Sequence, residues 1–245
     1  MAWVRVLGVL ASVVVLTLVL RQLPALVVLV VVIGGSWWLV RRVRTEQIRD
    51  RRSGAELLGL RRETSDPFGI AGYPLQLFGR SEDATVDDVA WGPWRGLEVR
   101  AFGASMRAPT VPGTSLTSAP TTSMAAVLAN IAEDAPPIVV EPQVFATMFE
   151  RPPALAAVTT GDRAFDAVWS VYCDDAGFAR ALLDDAMRRW LLDLGDTWGV
   201  ELSARMAMVY APASERPDVV SVLEILAGFL RRVPEDLLVT RPPAV

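Results

Sequence analysis

The chain of 245 residues contains no lysine, no histidine, one cysteine and one asparagine, so all 24 of its basic residues are arginine. Each absence removes a reagent. Without lysine there is no Walker-type phosphate loop, kinase-like lysine or Schiff base, and without histidine there is no Ser-His-Asp triad or imidazole metal site. A lone cysteine makes neither an intrachain disulfide nor a multi-cysteine zinc site, and nothing points to a disulfide-stapled secreted domain. Cys173 lies in the apolar run Val171-Tyr172-Cys173. With no arginine beside it, a buried structural thiol is expected rather than a reactive one.

What is present is apolar and unevenly placed. Hydrophobic residues make up 52% of the chain, and the excess is concentrated at the N-terminus. Val6 to Leu20 is apolar except for Ser12 and Thr17, Arg21-Gln22-Leu23-Pro24 interrupts, and a second apolar run extends from Ala25 to Val40. One helix from Trp3 to Val40 would be about 57 Å long, against a hydrocarbon layer of about 30 Å. Two legs of about 24 to 27 Å, joined at Arg21 to Pro24, suit a transmembrane hairpin better. A cleaved signal peptide fits poorly, because a second apolar run follows the first where a small-residue cleavage site and a polar chain belong. A single span with the other stretch in the interface is a further alternative.

Arginine bias sets the orientation. Arg41, Arg42, Arg44, Arg49, Arg51 and Arg52 follow the second leg, whereas the tip offers only Arg21, so the remainder of the chain is expected in the cytoplasm. Trp3 and Trp37-Trp38 would share one interface, and Gly8 and Gly34-Gly35 would let the legs approach closely. The 41–62 stretch holds eight arginines against Glu46, Asp50 and Glu56. It is expected to continue as a basic juxtamembrane helix, a topology signal with an attraction to anionic headgroups. Residues 63–245 reverse the sign: fourteen arginines face twenty-five acids, a net charge of −11. Such a domain repels phosphate backbones, which disfavours non-specific nucleic-acid binding.

Within this acidic domain, Val86 to Trp91 and Leu97 to Phe102 flank Gly92-Pro93-Trp94-Arg95-Gly96 and read as a β-hairpin. The stretch near 108–123, rich in Pro, Thr, Ser and Gly, reads as a flexible loop. Met124 to Ile131, Pro137 to Val140, Phe165 to Tyr172 and Val200 to Val209 are expected strands, and Val144 to Phe149 a short helix. Asp174-Asp175 is placed to cap a helix over about Ala176 to Leu194, with Asp184–Arg188 and Asp185–Arg189 as i,i+4 pairs on its solvated face. That pairing argues against Asp184-Asp185 as a metal or acid–base site. A closing helix from about Asp218 to Arg231 begins after Pro217 and stops at Pro234. The fold expected is therefore α+β: a two-helix transmembrane hairpin (1–40), a basic stem (41–62), and one soluble domain (63–245) of mixed, mainly antiparallel sheet with packed helices.

This layout, with its early hairpin, the Phe165-Asp166 strand, Asp174-Asp175, the apolar helix with Leu182-Leu183 and the ending Arg231-Arg232-Val233-Pro234, resembles small membrane-anchored proteins of high-GC actinobacteria. These belong to a widespread bacterial domain family of unknown function. The likeness covers residues 70 to 235 and implies no catalytic residue. The sequence thus assigns no catalytic, cofactor-binding or metal residue, and no cofactor. The function it favours is a membrane-anchored, non-catalytic interaction or accessory domain of a bacterial membrane complex. Its partners would be the bilayer, through residues 3–40, and a protein partner or further copies of the chain, without nucleic acid. It would sit in the cell membrane with two spans, its soluble domain cytoplasmic. The alternatives are a carboxylate/metal-dependent enzyme and a lipid- or small-ligand-binding module in which Trp91 and Trp94 meet bilayer or ligand. A channel or transporter is disfavoured by the lack of intramembrane acids.

Overall fold

The computed structural model describes residues 58–81, 83–107, 121–215, 217–234 and 237, all within one compact unit, Arg51–Val245. The expected hairpin (1–40), the stem up to residue 57 and residues 108–120 of the loop expected near 108–123 lie outside the described residues, whereas Thr121 to Ser123 are strand, paired with Arg107, Met106 and Ser105. Among those described, no helix is long and apolar enough to cross a membrane.

Seven antiparallel strands form one sheet: β1 (Arg61–Glu63), β2 (Ala84–Trp94), β3 (Leu97–Arg107), β4 (Thr121–Pro142), β5 (Ala157–Val158), β6 (Trp169–Cys173) and β7 (Gly199–Pro212). Their order is β1-β2-β3-β4-β6-β5, with β7 paired to β4. The mixed α+β expectation with a large antiparallel sheet is met. The expected stem helix does not run to Arg62, because Arg61, Arg62 and Glu63 pair with Trp91, Ala90 and Val89.

The β2–β3 turn is tighter than the five residues Gly92 to Gly96. Trp94 pairs with Leu97, and the two residues between them, Arg95 and Gly96, hold φ of 48° and 82°. Positive φ at both central positions matches the right-handed twist of the strands, so the hairpin closes on two residues and Gly92 and Pro93 remain in the strand. A bulge at Asp88 (φ 56°) turns its carboxylate onto Arg62 of β1.

Strand β4 is one continuous element of 22 residues, where two separate strands, Met124 to Ile131 and Pro137 to Val140, were expected. The stretch between them looks like a break because Pro136 and Pro137 lack N–H donors. The chain nevertheless pairs through it: the register shifts at Asn130, Ala135 and Ile138, and Ala204 opposite takes φ 50°. These bulges bend the ladder sharply. Gly199 and Tyr210, eleven positions apart in β7, would be about 36 Å apart in a straight strand. Instead a Cβ on Gly199 would lie 2.4 Å from the Tyr210 ring, so this position has room for glycine alone.

Alternation along β4 and β7 sends side chains into two cores. Val127, Ala129, Ile138, Val140, Val200, Leu202, Ala207 and Val209 join a large core with the helices. Ala126, Leu128, Met208 and Tyr210 face a second core, closed by Ile70, Leu75, Leu77, Phe78 and Phe145. The helices are α1 (Gln76–Gly79), α2 (Arg163–Asp166), α3 (Ala176–Leu182), α4 (Asp185–Leu194) and α5 (Val219–Leu230). Short 3-10 helices at Ile70–Gly72 and Gln143–Thr147 accompany them; the second is the short helix expected over Val144 to Phe149, with its bounds shifted.

Two expectations are corrected on the large-core side. The strand expected over Phe165 to Tyr172 is α2, capped by the Asp162 carboxylate, followed by β6; Phe165 stacks on Trp169 across the junction at 5.9 Å. The single helix expected over Ala176 to Leu194 is two. Asp175 caps α3 through the Phe178 N–H, and Asp184 leaves helical geometry (ψ 176°) to cap α4 through the Met187 N–H. The break turns Leu182, Leu183, Met187 and Leu191 all inward. It also removes the expected Asp184–Arg188 pair, and Arg188 instead pairs with Asp162 and Asp185. Arg189 donates to the Asp185 backbone carbonyl rather than to its carboxylate. The closing helix is as expected, α5 starting at the Asp218 cap and ending at Arg231.

Candidate functional site

Charge inside a core is the feature of this fold that apolar patterning does not explain. Glu141 and Glu201 alternate with apolar neighbours in β4 and β7, where inward acids are costly unless bonded. Their side chains point into the second core, and the segment Ile70–Arg80 arrives over them. Arg80, at the end of α1, places Nη1 at 3.1 and 2.9 Å from the two Glu141 carboxylate oxygens, with both side chains almost fully buried. The Tyr210 hydroxyl donates to the same carboxylate at 3.0 Å. Arg80 Nε and Nη2 have no hydrogen-bond partner among the described residues, and the guanidinium stands 5.9 Å from the centre of the Phe149 ring.

Glu201 sits beside this triad with no exposed surface. One carboxylate oxygen accepts the Gln76 N–H and the other the Leu77 N–H, the latter at 3.1 Å. Two positions along β7, the Ser203 hydroxyl donates to the Pro74 carbonyl at 2.9 Å. Burial raises the Glu201 pKa from the usual 4.5 to about 7, against the two amides and Arg80, which favour the charged form. Burial likewise pushes the Tyr210 hydroxyl well above its ordinary value, so it stays a hydrogen-bond donor at neutral pH.

A carboxyl near neutrality is suited to proton transfer, yet Glu201 offers no surface on which a substrate could land. Its two oxygens and both Glu141 oxygens are engaged with the protein itself. The network ties Ile70–Arg80 to the sheet. Among the described residues, two clefts lie away from this network. One, of about 20 Å³, is bordered by the Arg62–Asp88 pair, Ala101, Val127 and Val219. The other, of about 240 Å³, is lined by Asp83, Thr85, Ser105, Arg107 and Thr121. The first is about the size of one water molecule. Among the described residues no three of Asp, Glu and Cys converge as a metal would require.

The residues singled out in the sequence are not brought together. Cys173 is 1% exposed, and its thiol donates to the Asp175 carbonyl at 3.3 Å, the structural role expected of it. Asp184 is a helix cap, and Asp174 accepts the Ala156 N–H. Trp94, named with Trp91 for the lipid- or ligand-binding alternative, is packed at the turn, buried in the large core with the Arg95 guanidinium 4.5 Å from its ring. Trp91 is half-buried, edge-on to Phe68 at 5.3 Å. The hairpin's twist turns both rings toward protein. Arg80, Glu141, Glu201 and Tyr210 were not singled out. An acid inside an apolar strand, as in Val139-Val140-Glu141 and Val200-Glu201-Leu202, is the signal that marks two of them.

A seven-stranded antiparallel sheet with α2 to α5 packed in the large core and the segment Ile70–Arg80, which contains α1, bonded over the second core defines an α+β domain built on one long, bent central strand. No known family and no curated protein matches the chain. Among solved structures, the mycobacterial trehalose monomycolate transport factor A, TtfA, is similar in fold, with a TM-score of 0.52 at 16% sequence identity. The match covers 77% of this chain and 96% of that one. At this identity the likeness is one of fold.

Proposed function

We propose that this chain is a membrane-anchored accessory domain of a bacterial envelope transport complex, acting through protein contacts rather than catalysis. One observation carries the reading: the fold matches 96% of a solved chain described as a transport factor, TtfA. The apolar 3–40 stretch with arginines behind it supports an anchor with the acidic domain in the cytoplasm. The engagement of Glu141 and Glu201 by Arg80, Tyr210 and two backbone amides weighs against a carboxylate-dependent enzyme.

The test is in-membrane cross-linking of the full chain followed by quantitative mass spectrometry. An accessory component gives stoichiometric cross-links from the acidic domain to an integral membrane protein or to further copies of itself. Neither partner nor self-association, at native expression, would end the proposal.

A further inference from the structure

We propose that the segment Ile70–Arg80 is a proton-coupled latch, whose docking on β4 and β7 is linked to protonation of the buried Glu201 carboxyl. The geometry is a clasp. Three side chains from two adjacent strands reach up to one segment: Ser203 holds the Pro74 carbonyl, Glu201 the Gln76 and Leu77 amides, and Glu141 the Arg80 guanidinium. The segment buries Ile70, Leu75, Leu77 and Phe78 beneath this clasp. At its start, Gly69 turns the chain with φ 65°. The segment contains no long helix, so its hold on the sheet comes from these side chains and this polar clasp.

Glu201 is the member of the clasp whose charge changes near neutrality. The charged and titratable groups around it are Arg80 from the latch itself, Glu141 from β4 and Tyr210 from its own strand. Arg80 and the two amides favour its carboxylate, while burial and Glu141 disfavour it more strongly, leaving its pKa at about 7 when the latch is closed. An open latch admits water and returns the group toward 4.5. The sign follows from proton uptake. Closed protein binds a proton that open protein lacks between these values, so closure is fully supported below 4.5. Opening grows as pH rises to about 7 and is constant above it. The latch is then about 80-fold more open at pH 7 than at pH 4.5, and about 300-fold more open well above pH 7 than well below pH 4.5.

Amide hydrogen exchange with mass spectrometry on the detergent-solubilised full chain reads this directly, after correction for intrinsic exchange rates. Peptides covering 70–80 should show an opening constant that rises about 80-fold from pH 4.5 to pH 7 and levels off above it. The same peptides in Glu201→Gln should show no slope. Ser203→Ala should open the latch more at every pH and keep the slope. A flat wild-type profile, or a slope retained in Glu201→Gln, overturns the proposal. So does α5 opening in step with the latch, which would mean global unfolding. Should Glu201→Gln fail to fold, carboxyl NMR of 13C-glutamate-labelled wild type decides. Opening of 70–80 that follows the same midpoint as a glutamate carboxyl upholds the latch, and opening that follows no glutamate titration overturns it.

Discussion

Replacing Arg80 with methionine should be among the most damaging single changes on this sheet. The Arg80 and Glu141 side chains are 1% and 3% exposed, so water does not screen their pairing. Removing the cation leaves a buried carboxylate held by the Tyr210 hydroxyl alone. Breaking a buried pair from one side costs about 3–5 kcal/mol. Methionine keeps much of the apolar stem and removes two nitrogens that have no partner, Nε and Nη2, which places the expectation toward the lower figure. For a domain of this size, 3 kcal/mol corresponds to a fall of roughly 6–12 °C in Tm.

The partner substitution separates a lost contact from a stranded charge. Arg80→Met with Glu141→Leu removes both charges and should recover most of the loss, leaving about 1–3 kcal/mol for the Tyr210 hydroxyl without its acceptor. Adding Tyr210→Phe should recover that remainder. Thermal unfolding of the four full-length proteins in one detergent, at pH 8, reads this series. A single variant within 1 kcal/mol of wild type, or a double variant no better than the single, refutes the reasoning.

Three other changes probe the fold. Asp184→Ala should cost about 1 kcal/mol of stability because Asp184 caps α4; in the middle of one long helix the same change would be neutral or stabilising, so chemical denaturation distinguishes the two. Gly199→Ala should destabilise by about 1–3 kcal/mol or more, since its Cβ meets the Tyr210 ring, and lowered expression with an earlier denaturation midpoint would show it. Glu224→Gln should cost no more than about 0.5 kcal/mol, because Arg95 and Glu224 are both about half exposed, and adding salt should erase even that difference.

Elements whose signals are local were legible in the sequence. The β2–β3 hairpin, the α5 start at Asp218, the Asp175 cap and the burial of Cys173 each follow from residues a few positions apart. The break at Asp184 was not, because Phe178, Leu182, Ala186 and Trp190 keep a helical period across it, and only the packing of both Leu182 and Leu183 requires the chain to turn. The continuity of β4 was hidden for the opposite reason. Pro136 and Pro137 are local breakers, and pairing to β7, some seventy residues on, overrides them. The buried network was least legible. Arg80 stands in no periodic pattern, and its meeting with Glu141 spans 61 positions. The acids in the apolar strands signalled that something must answer them, without saying what.

Sided proteolysis tests the proposed arrangement, in which an N-terminal membrane anchor holds the acidic domain on the cytoplasmic side. Protease added to intact cells with a permeabilised outer envelope should leave residues 63–245 uncut, and the same protease on inverted membrane vesicles should remove them while an apolar fragment stays in the pellet. Digestion of the domain from outside intact cells, or its release into the supernatant without any protease, would contradict the account.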